Sequence, residues 1–324
     1  MKRPVIVVCS VVITCTLCPA IASENAYPSR PIRIVDPFPP GGPSDIVGRS
    51  LSQKLTEALG QTVVVDNRGG ASGIVGCEIV AKAAPDGHTL LLGPSGALTI
   101  QPTLNAKLPY DPQRDFETVS QLTSGPQVIA VNPAVPAKSV QDLIALAKAK
   151  PGELNYASGG AGTANHLAAE VFKLAAGVNI VHIPYKGTGP ALTSILSGES
   201  QMIISSLLPA LPHLKSGKMR ALAVTSTSRS SAVPDVPTAA ESGLPKFETS
   251  SWHGILVPAK TPRAIITRLH GELVKVLNLP DVRERLTAQG LNVVASTPQE
   301  FAAYIKSETV KYARVIKQVG IKAE

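Results

Sequence analysis

A repeated switch of hydrophobic period constrains this chain more than any other feature. Ile32-Arg33-Ile34-Val35 is a β-rich run, and beyond it Val47, Leu51, Leu55 and Leu59 recur at helical spacing. The junction, Val35-Asp36-Pro37-Phe38-Pro39-Pro40-Gly41-Gly42-Pro43-Ser44-Asp45, is stiffened by prolines and bared by Gly41-Gly42. Strand, glycine loop and helix start come again at Leu154-Asn155-Tyr156-Ala157-Ser158-Gly159-Gly160-Ala161-Gly162-Thr163. There Thr163 is the expected N-cap, Leu167, Val171 and Leu174 the buried stripe, and Gly177 the stop. Between these units, the strand at Gln61 to Val65 leads into Asp66 to Gly70, and Thr89 to Leu92 leads into Gly93 to Gly96. Apolar strands alternating with helices predict an α/β chain whose sheets are mostly parallel and flanked by helices. Ligands of such sheets bind beyond the carboxyl ends of the strands. Phe38 to Asp45, Asn67 to Gly70 and Gly93 to Gly96 all fall on that rim.

A helix start preceded by glycines offers unpaired N–H groups and the positive end of a macrodipole, which suits an anion. Read alone, the first loop is equally well a tight turn with an N-cap serine and nothing bound. The second shifts the balance: two glycine-fronted helix starts facing across a cleft could each hold one carboxylate without an arginine. That pattern fits a dicarboxylate, or an acidic amino acid, closed between two lobes by hinge motion. His166 falls in the first turn of its helix, where packing or capping is the more usual role. No catalytic pattern competes. Gly93-Pro94-Ser95-Gly96-Ala97 lacks the last glycine of a nucleophile elbow, and the six histidines have no H-x-x-x-H spacing. The Ser158 to Thr163 loop fits neither G-x-x-x-x-G-K-[ST] nor G-x-G-x-x-G. The expectation is a binding protein, not an enzyme, with no cofactor and no metal.

The run Leu98 to Asp115, rich in Pro, Asn and Gln, reads as an irregular connection. Phe116 to Asn132 reads as extended, with Gly125-Pro126 in its middle, and marks the crossing into a second domain. Ser139 with Asp142 caps a helix there, and strands follow at Ile180 to Ile183, Met202 to Ile204 and Ala221 to Val224. After Ile255-Leu256-Val257 the chain is mostly helical. Thr297-Pro298-Gln299-Glu300 is a capping box, and Phe301, Tyr304, Ile305, Tyr312, Val315, Ile316 and Val319 form a core stripe. The expected division is 23–125 with 250–324 as domain 1, and 126–249 as domain 2.

Residues 1–22 form an expected signal peptide. Lys2 and Arg3 precede nineteen uncharged residues, and Ala20-Ile21-Ala22 is an A-x-A cleavage signal. Cys9, Cys15 and Cys18 lie in that segment, so the expected mature chain keeps only Cys77 and cannot form an internal disulfide. The formal net charge is +8, but the basic residues are scattered and aromatics make up 4% of the chain. Basic stripes with interleaved aromatics, the mark of nucleic-acid binding, are absent.

Several stretches, in this order, carry a family resemblance. They include Tyr27-Pro28-Ser29-Arg30-Pro31-Ile32, Pro37 to Asp45, Ala83-Ala84-Pro85-Asp86-Gly87, Leu154 to Ser158 and His182-Ile183-Pro184-Tyr185-Lys186-Gly187. They continue with Leu211-Pro212-His213, Arg220 to Thr225 and Pro234-Asp235-Val236-Pro237-Thr238. Over its whole mature length the chain resembles the Bug-type periplasmic solute-binding receptors of tripartite tricarboxylate transporters. The resemblance implies a two-domain Venus flytrap fold and delivery of an organic anion to a membrane permease. It also implies that Phe38, Gly41, Gly42, Ser44 and Asp45 approach the ligand, partly through ordered water. Ser95, Ser158, Gly159, Gly162, Thr163 and His166 would line the remaining cleft, with Tyr185 from the matching His182 to Gly187 stretch. Ser44 and the Gly41-Gly42 amides are expected to hold one anionic end, and Gly162 and Thr163 the other.

One departure bears on the ligand. Family members often carry an acidic residue where Ser205 stands, and another where Gln201 stands. If Ser205 faces the ligand, a plain carboxylate is favoured over an amino acid. Asp45 would either receive an amine or simply favour the helix dipole. The expected protein is a periplasmic monomer that binds a small organic anion and no nucleic acid. The alternatives are an α/β hydrolase or transferase acting on a small acid, and a sensor that presents its ligand to a membrane partner.

Overall fold

The computed structural model describes residues 27–321; the expected signal peptide lies outside the described residues. The elements run β1 (Ile32–Asp36), α1 (Pro43–Leu59), β2 (Val63–Asn67), α2 (Ile74–Ala81) and β3 (Thr89–Pro94). Next come α3 (Gln101–Leu104), β4 (Phe116–Val131), α4 (Val140–Ala149), β5 (Asn155–Ser158), α5 (Ala164–Ala176), β6 (Val181–Pro184) and α6 (Thr188–Ser197). They end with β7 (Met202–Ser206), α7 (Leu207–Lys215), β8 (Arg220–Val224), β9 (Ser250–Pro258), α8 (Arg263–Leu277), α9 (Pro280–Ala288), β10 (Asn292–Val293) and α10 (Pro298–Val319).

The periodicity read from the sequence becomes packing. Val47, Leu51, Leu55 and Leu59 bury the inner face of α1 against the first sheet, and Gly60 ends the helix in the left-handed conformation. Truncating Leu51 to alanine would cost about 2–5 kcal/mol from lost burial and the cavity left behind. The Thr297–Glu300 capping box is present and starts α10.

The strand order is β2-β1-β3-β9-β4-β7-β5-β6, with β8 and β10 also paired to β4. The pairs β1–β2, β1–β3, β5–β6 and β5–β7 are parallel. The joints between the halves are antiparallel, because β9 returns beside β3 and β4, and β4 runs against β7 and β8. Strand β4 belongs to both halves. Its residues 116–126 pair with β9, and residues 127–131 pair with β7 and β8. Each half has its own core, one around Leu51, Leu92 and Leu273, the other around Tyr156, Phe172 and Ile204. A smaller cluster joins them, with Ile100 from one half, Leu167 of α5 from the other, and Tyr312 and Ile316 of α10. The result is a two-lobed α/β fold of the periplasmic-binding-protein type.

One stretch differs from the sequence reading. Residues 98–104, read as irregular, are helical: a wide turn over Gly96–Ile100 runs straight into α3. Leu98 and Ile100 are fully buried and the Thr99 hydroxyl donates to Ser95 O, so tertiary packing outweighs poor helix propensity. Among the described residues no helix is long and apolar enough to cross a membrane.

Candidate functional site

The rim of each lobe is built from loops that follow parallel strands, and the two rims face each other. Between them lies a cavity of about 840 Å³. Phe38, Pro39 and Pro40 reach it from the β1–α1 loop, and Asn67, Gly69, Gly70 and Ser72 from the loop after β2. Gln101 and Asn105 reach it from α3 and its end. The other lobe contributes Gly159, Gly160, Ala161 and Gly162 after β5, then Pro184, Tyr185, Lys186 and Gly187 after β6. Among the described lining residues none is acidic, and Lys186 is the one that carries a formal charge.

The lobes touch along this rim. Gln101 Nε2 donates to Ala161 O at 3.0 Å, a direct hydrogen bond from one lobe to the other. Gly162 sits so close that an added Cβ would lie 2.5 Å from Gln101 Nε2. Its φ of +71° is one that an L side chain rarely adopts. Gln101 was missed in the sequence reading because its stretch carries no periodic signal. Only folding of residues 96–104 into a helix brings it to the cleft.

The first loop is held from below by carboxylates. Asp36 is fully buried, and its oxygens accept from Phe38 N at 3.2 Å, Ser44 Oγ at 2.7 Å and Asn67 Nδ2 at 3.1 Å. Asn67 Nδ2 also donates to Phe38 O at 3.0 Å. Helix α1 starts with Gly42 as N-cap and Pro43 in its first turn, where the missing N–H is harmless. Asp45 then reaches back to accept from Gly41 N at 3.0 Å, and pairs with Arg49 Nε at 2.8 Å. Burial is the chief cause that lifts Asp36 to about 7, and neighbouring Asp45 adds to it. The hydrogen bonds from Ser44 and Phe38, and the Arg49 charge, pull the other way.

The second loop is held by neutral groups. Thr163 caps α5, accepting from His166 N and donating its hydroxyl to Gly160 O at 2.7 Å. His166 Nδ1 accepts from Gly162 N at 3.1 Å. This bond requires a lone pair on Nδ1, and burial favours it by holding the imidazole below its usual range. Glu170 opposes that shift and Lys173 adds to it. His166 stacks on His182 with centroids 4.1 Å apart, and His182 stacks in turn on Tyr156 at 4.8 Å. Ser158 Oγ lies 2.6 Å from His182 Nε2 and also accepts from Gly160 N. A serine–histidine contact invites comparison with a nucleophile, yet Ser158 is fully buried beneath the loop.

The expected site residues therefore divide. Phe38, Gly159, Gly162 and Tyr185 line the cavity. Gly41 instead faces a separate cavity of about 400 Å³ with Ile46 and Leu192. Gly42 is the helix cap, and Ser44 and Asp45 spend their side chains on the loop itself. The Ser44 hydroxyl donates to Asp36. Ser158, Thr163 and His166 play the same supporting part in the other lobe. Ser95 is buried at the end of β3, with its carbonyl accepting from Thr99. Ser205 is buried in β7 opposite Val128, and its hydroxyl donates to Ser206 O. For Asp45, Ser158, Thr163 and His166 the cause is a polar side chain beside a helix start that bonds the neighbouring loop backbone. Asn67, Gly70, Ser72, Asn105 and Lys186 are lining residues that the sequence reading did not single out as contacts.

Residues 47–321 match the family model described as the tripartite tricarboxylate transporter family receptor. Protein BugT of Bordetella pertussis is 40% identical over 304 residues, covering 94% of this chain and 93% of the relative. The structure of the periplasmic binding protein BugD superposes with a TM-score of 0.89 at 35% identity, covering 92% of this chain and all of that one. Rpa4515 of R. palustris, solved with adipate, gives a TM-score of 0.90 at 34% identity over 91% of this chain and 99% of its own. In sequence along most of its length, and in the lobed architecture that frames the cleft, this chain belongs to the family of tripartite tricarboxylate transporter receptors.

Proposed function

We propose that this protein is a periplasmic receptor that captures a small dicarboxylate between its lobes and delivers it to the membrane subunits of a tripartite transporter. The observation that carries this reading is the lining of the interlobe cavity. Glycine loops, the amide side chains of Asn67, Gln101 and Asn105, and the Lys186 ammonium surround it without a carboxylate. Backbone and amide donors recognise carboxylate oxygens by charge-assisted hydrogen bonds. An acyclic diacid fits such a space, and adipate occupies the relative Rpa4515. A free amino group finds no acidic partner among the described lining residues.

In this reading the lobes are residues 23–125 with 250–324, and 126–249. They close by bending where β4 passes from one sheet to the other, with the Gln101–Ala161 bond as a clasp. The chain works as a monomer in the periplasm after loss of its first 22 residues. The cleft alone forms the site, and the family's role supplies the permease as partner.

A thermal-shift screen of linear diacids, acidic amino acids and aromatic acids tests the proposal. Ligand at 100 times its Kd stabilises by about 2.7 kcal/mol, a rise of several degrees for a chain of this size. Adipate and its shorter homologues should give that shift, and amino acids should not. A shift confined to amino acids, or turnover of the bound acid, would overturn it.

A further inference from the structure

Among the described residues, Asp36 is the one carboxylate placed directly beneath the ligand loop without a cation bonded to it. Its three side-chain partners, Phe38 N, Ser44 Oγ and Asn67 Nδ2, are all neutral donors. Two of those residues, Phe38 and Asn67, line the cavity. The charge of Asp36 therefore sits one residue layer below the place where an anion would bind. We propose that capture of an anionic ligand is coupled to uptake of a proton by Asp36, so that affinity rises as pH falls through neutrality. The inference rests on the anion-receptor reading above.

The physical reason is mutual repulsion across a poorly hydrated layer. An ionised Asp36 disfavours a second negative charge above it, and the bound anion in turn favours the protonated carboxyl. Protonation breaks nothing essential. The Ser44 hydroxyl can turn its hydrogen away and accept from the new Asp36 O–H, while Phe38 N and Asn67 Nδ2 keep a carboxyl oxygen to donate to. Burial has already lifted Asp36 to about 7, so a modest further push changes its charge at neutral pH.

Other charged groups around Asp36 do not substitute for it. On α1, Asp45 is paired with Arg49, whose Nη2 also donates to Asn67 Oδ1 at 2.9 Å. On β2, Asp66 is bonded by both Arg33 and Arg68, which hold it in the ionised form. On α2, the buried Cys77 thiol is pushed up to about 12 and stays neutral. Across the cleft, the basic residue that lines the cavity is Lys186. His166 is held below its usual range, so any proton it gains on binding would enter at a lower pH than one on Asp36.

The experiment is calorimetric titration of adipate at pH 6, 7.5 and 9, in two buffers of different ionisation heat, for the full mature chain and for Asp36→Asn. The wild type should take up about half a proton per adipate near pH 7.5. If the anion raises Asp36 by one further unit, affinity should fall about tenfold from pH 6 to pH 9. Asp36→Asn should bind with little pH dependence and no uptake at pH 7.5. Adipate binding without proton uptake in the wild type overturns the proposal. So does uptake that persists in Asp36→Asn, which would assign the proton to His166. Carbon-13 titration of the Asp36 carboxyl in ligand-free protein separates the two readings. If adipate fails to bind at every pH, the dicarboxylate reading is lost and this titration alone decides the role of Asp36. A midpoint near 7 supports the proton site; one below 5 overturns it.

Discussion

In the first lobe the Gly41 N–H, one residue before the helix cap, donates to the Asp45 carboxylate; in the second, the Gly162 N–H at the equivalent place donates to the His166 imidazole. Asp45 and His166 occupy the same third position of their helices, α1 and α5. One plan closes both loops, but the first closure is anionic and the second neutral. A carboxylate at a helix N-terminus offsets the partial positive charge there, equivalent to roughly half an elementary charge. Helix α5 has no acidic residue in its first turn, so that partial charge remains for a ligand. The two rims are therefore unequal partners. The second lobe, with Lys186, is suited to anchor the anion, while the first supplies shape and neutral donors such as Asn105.

The most damaging test of this difference is Gly162→Val. The new side chain would meet Gln101 at the point where the lobes touch, in a backbone conformation already unfavourable by about 1–2 kcal/mol. Dicarboxylate affinity should drop by about a hundredfold or more while far-ultraviolet circular dichroism stays native. Retained affinity would show that the clasp is not part of the bound state. Imposing the first lobe's chemistry on the second is the next test. His166→Asp places a carboxylate at the anchoring end, and calorimetry should find binding weakened about tenfold. Equal affinity would mean that the second loop does not carry the charge.

The reverse change is gentler. Asp45→Asn keeps an oxygen for Gly41 N but removes the charge, and should tighten binding by about threefold. Weaker binding would instead assign Asp45 a direct favourable contact. The smallest effect is expected at Gly42→Ala. Gly42 has an ordinary extended backbone with φ of −79°, and an added Cβ would meet only Pro39 O at 3.7 Å. Affinity should stay within a factor of about two, and Tm should drop by no more than about 3 °C from the poorer cap. Loss of binding there would restore the first loop as an equal anion site.

The chain's pattern already separated supporting elements from rim loops. The stripe of α1, the caps of α4 and α10 and the double glycine-loop plan are local features, set by spacing and by residues three or four apart. Phe38, Gly159 and Gly162 could be found from that plan because backbone must approach closely where glycine and proline cluster. Ser44, Thr163 and His166 drew attention by the same logic, and their hydrogen bonds go to the loops themselves. Sequence shows that a polar side chain stands near a helix end; it does not show which neighbour takes its hydrogen bond first.

The sequence by itself determined the α/β pattern, the two glycine loops and the family resemblance, since each depends on short-range order along the chain. Tertiary structure decided the rest: β4 shared by both sheets, Gln101 brought to Ala161, and Asp36 sealed under Phe38 and Asn67. Apart from the local Phe38–Asp36 bond, these depend on contacts between residues about 30 or more apart, whose partners have no fixed spacing to read. The charge on Asp36 is the sharpest case. An aspartate at the end of a strand is ordinary in sequence, and it is burial, against the pull of its neutral donors, that lifts it to about 7.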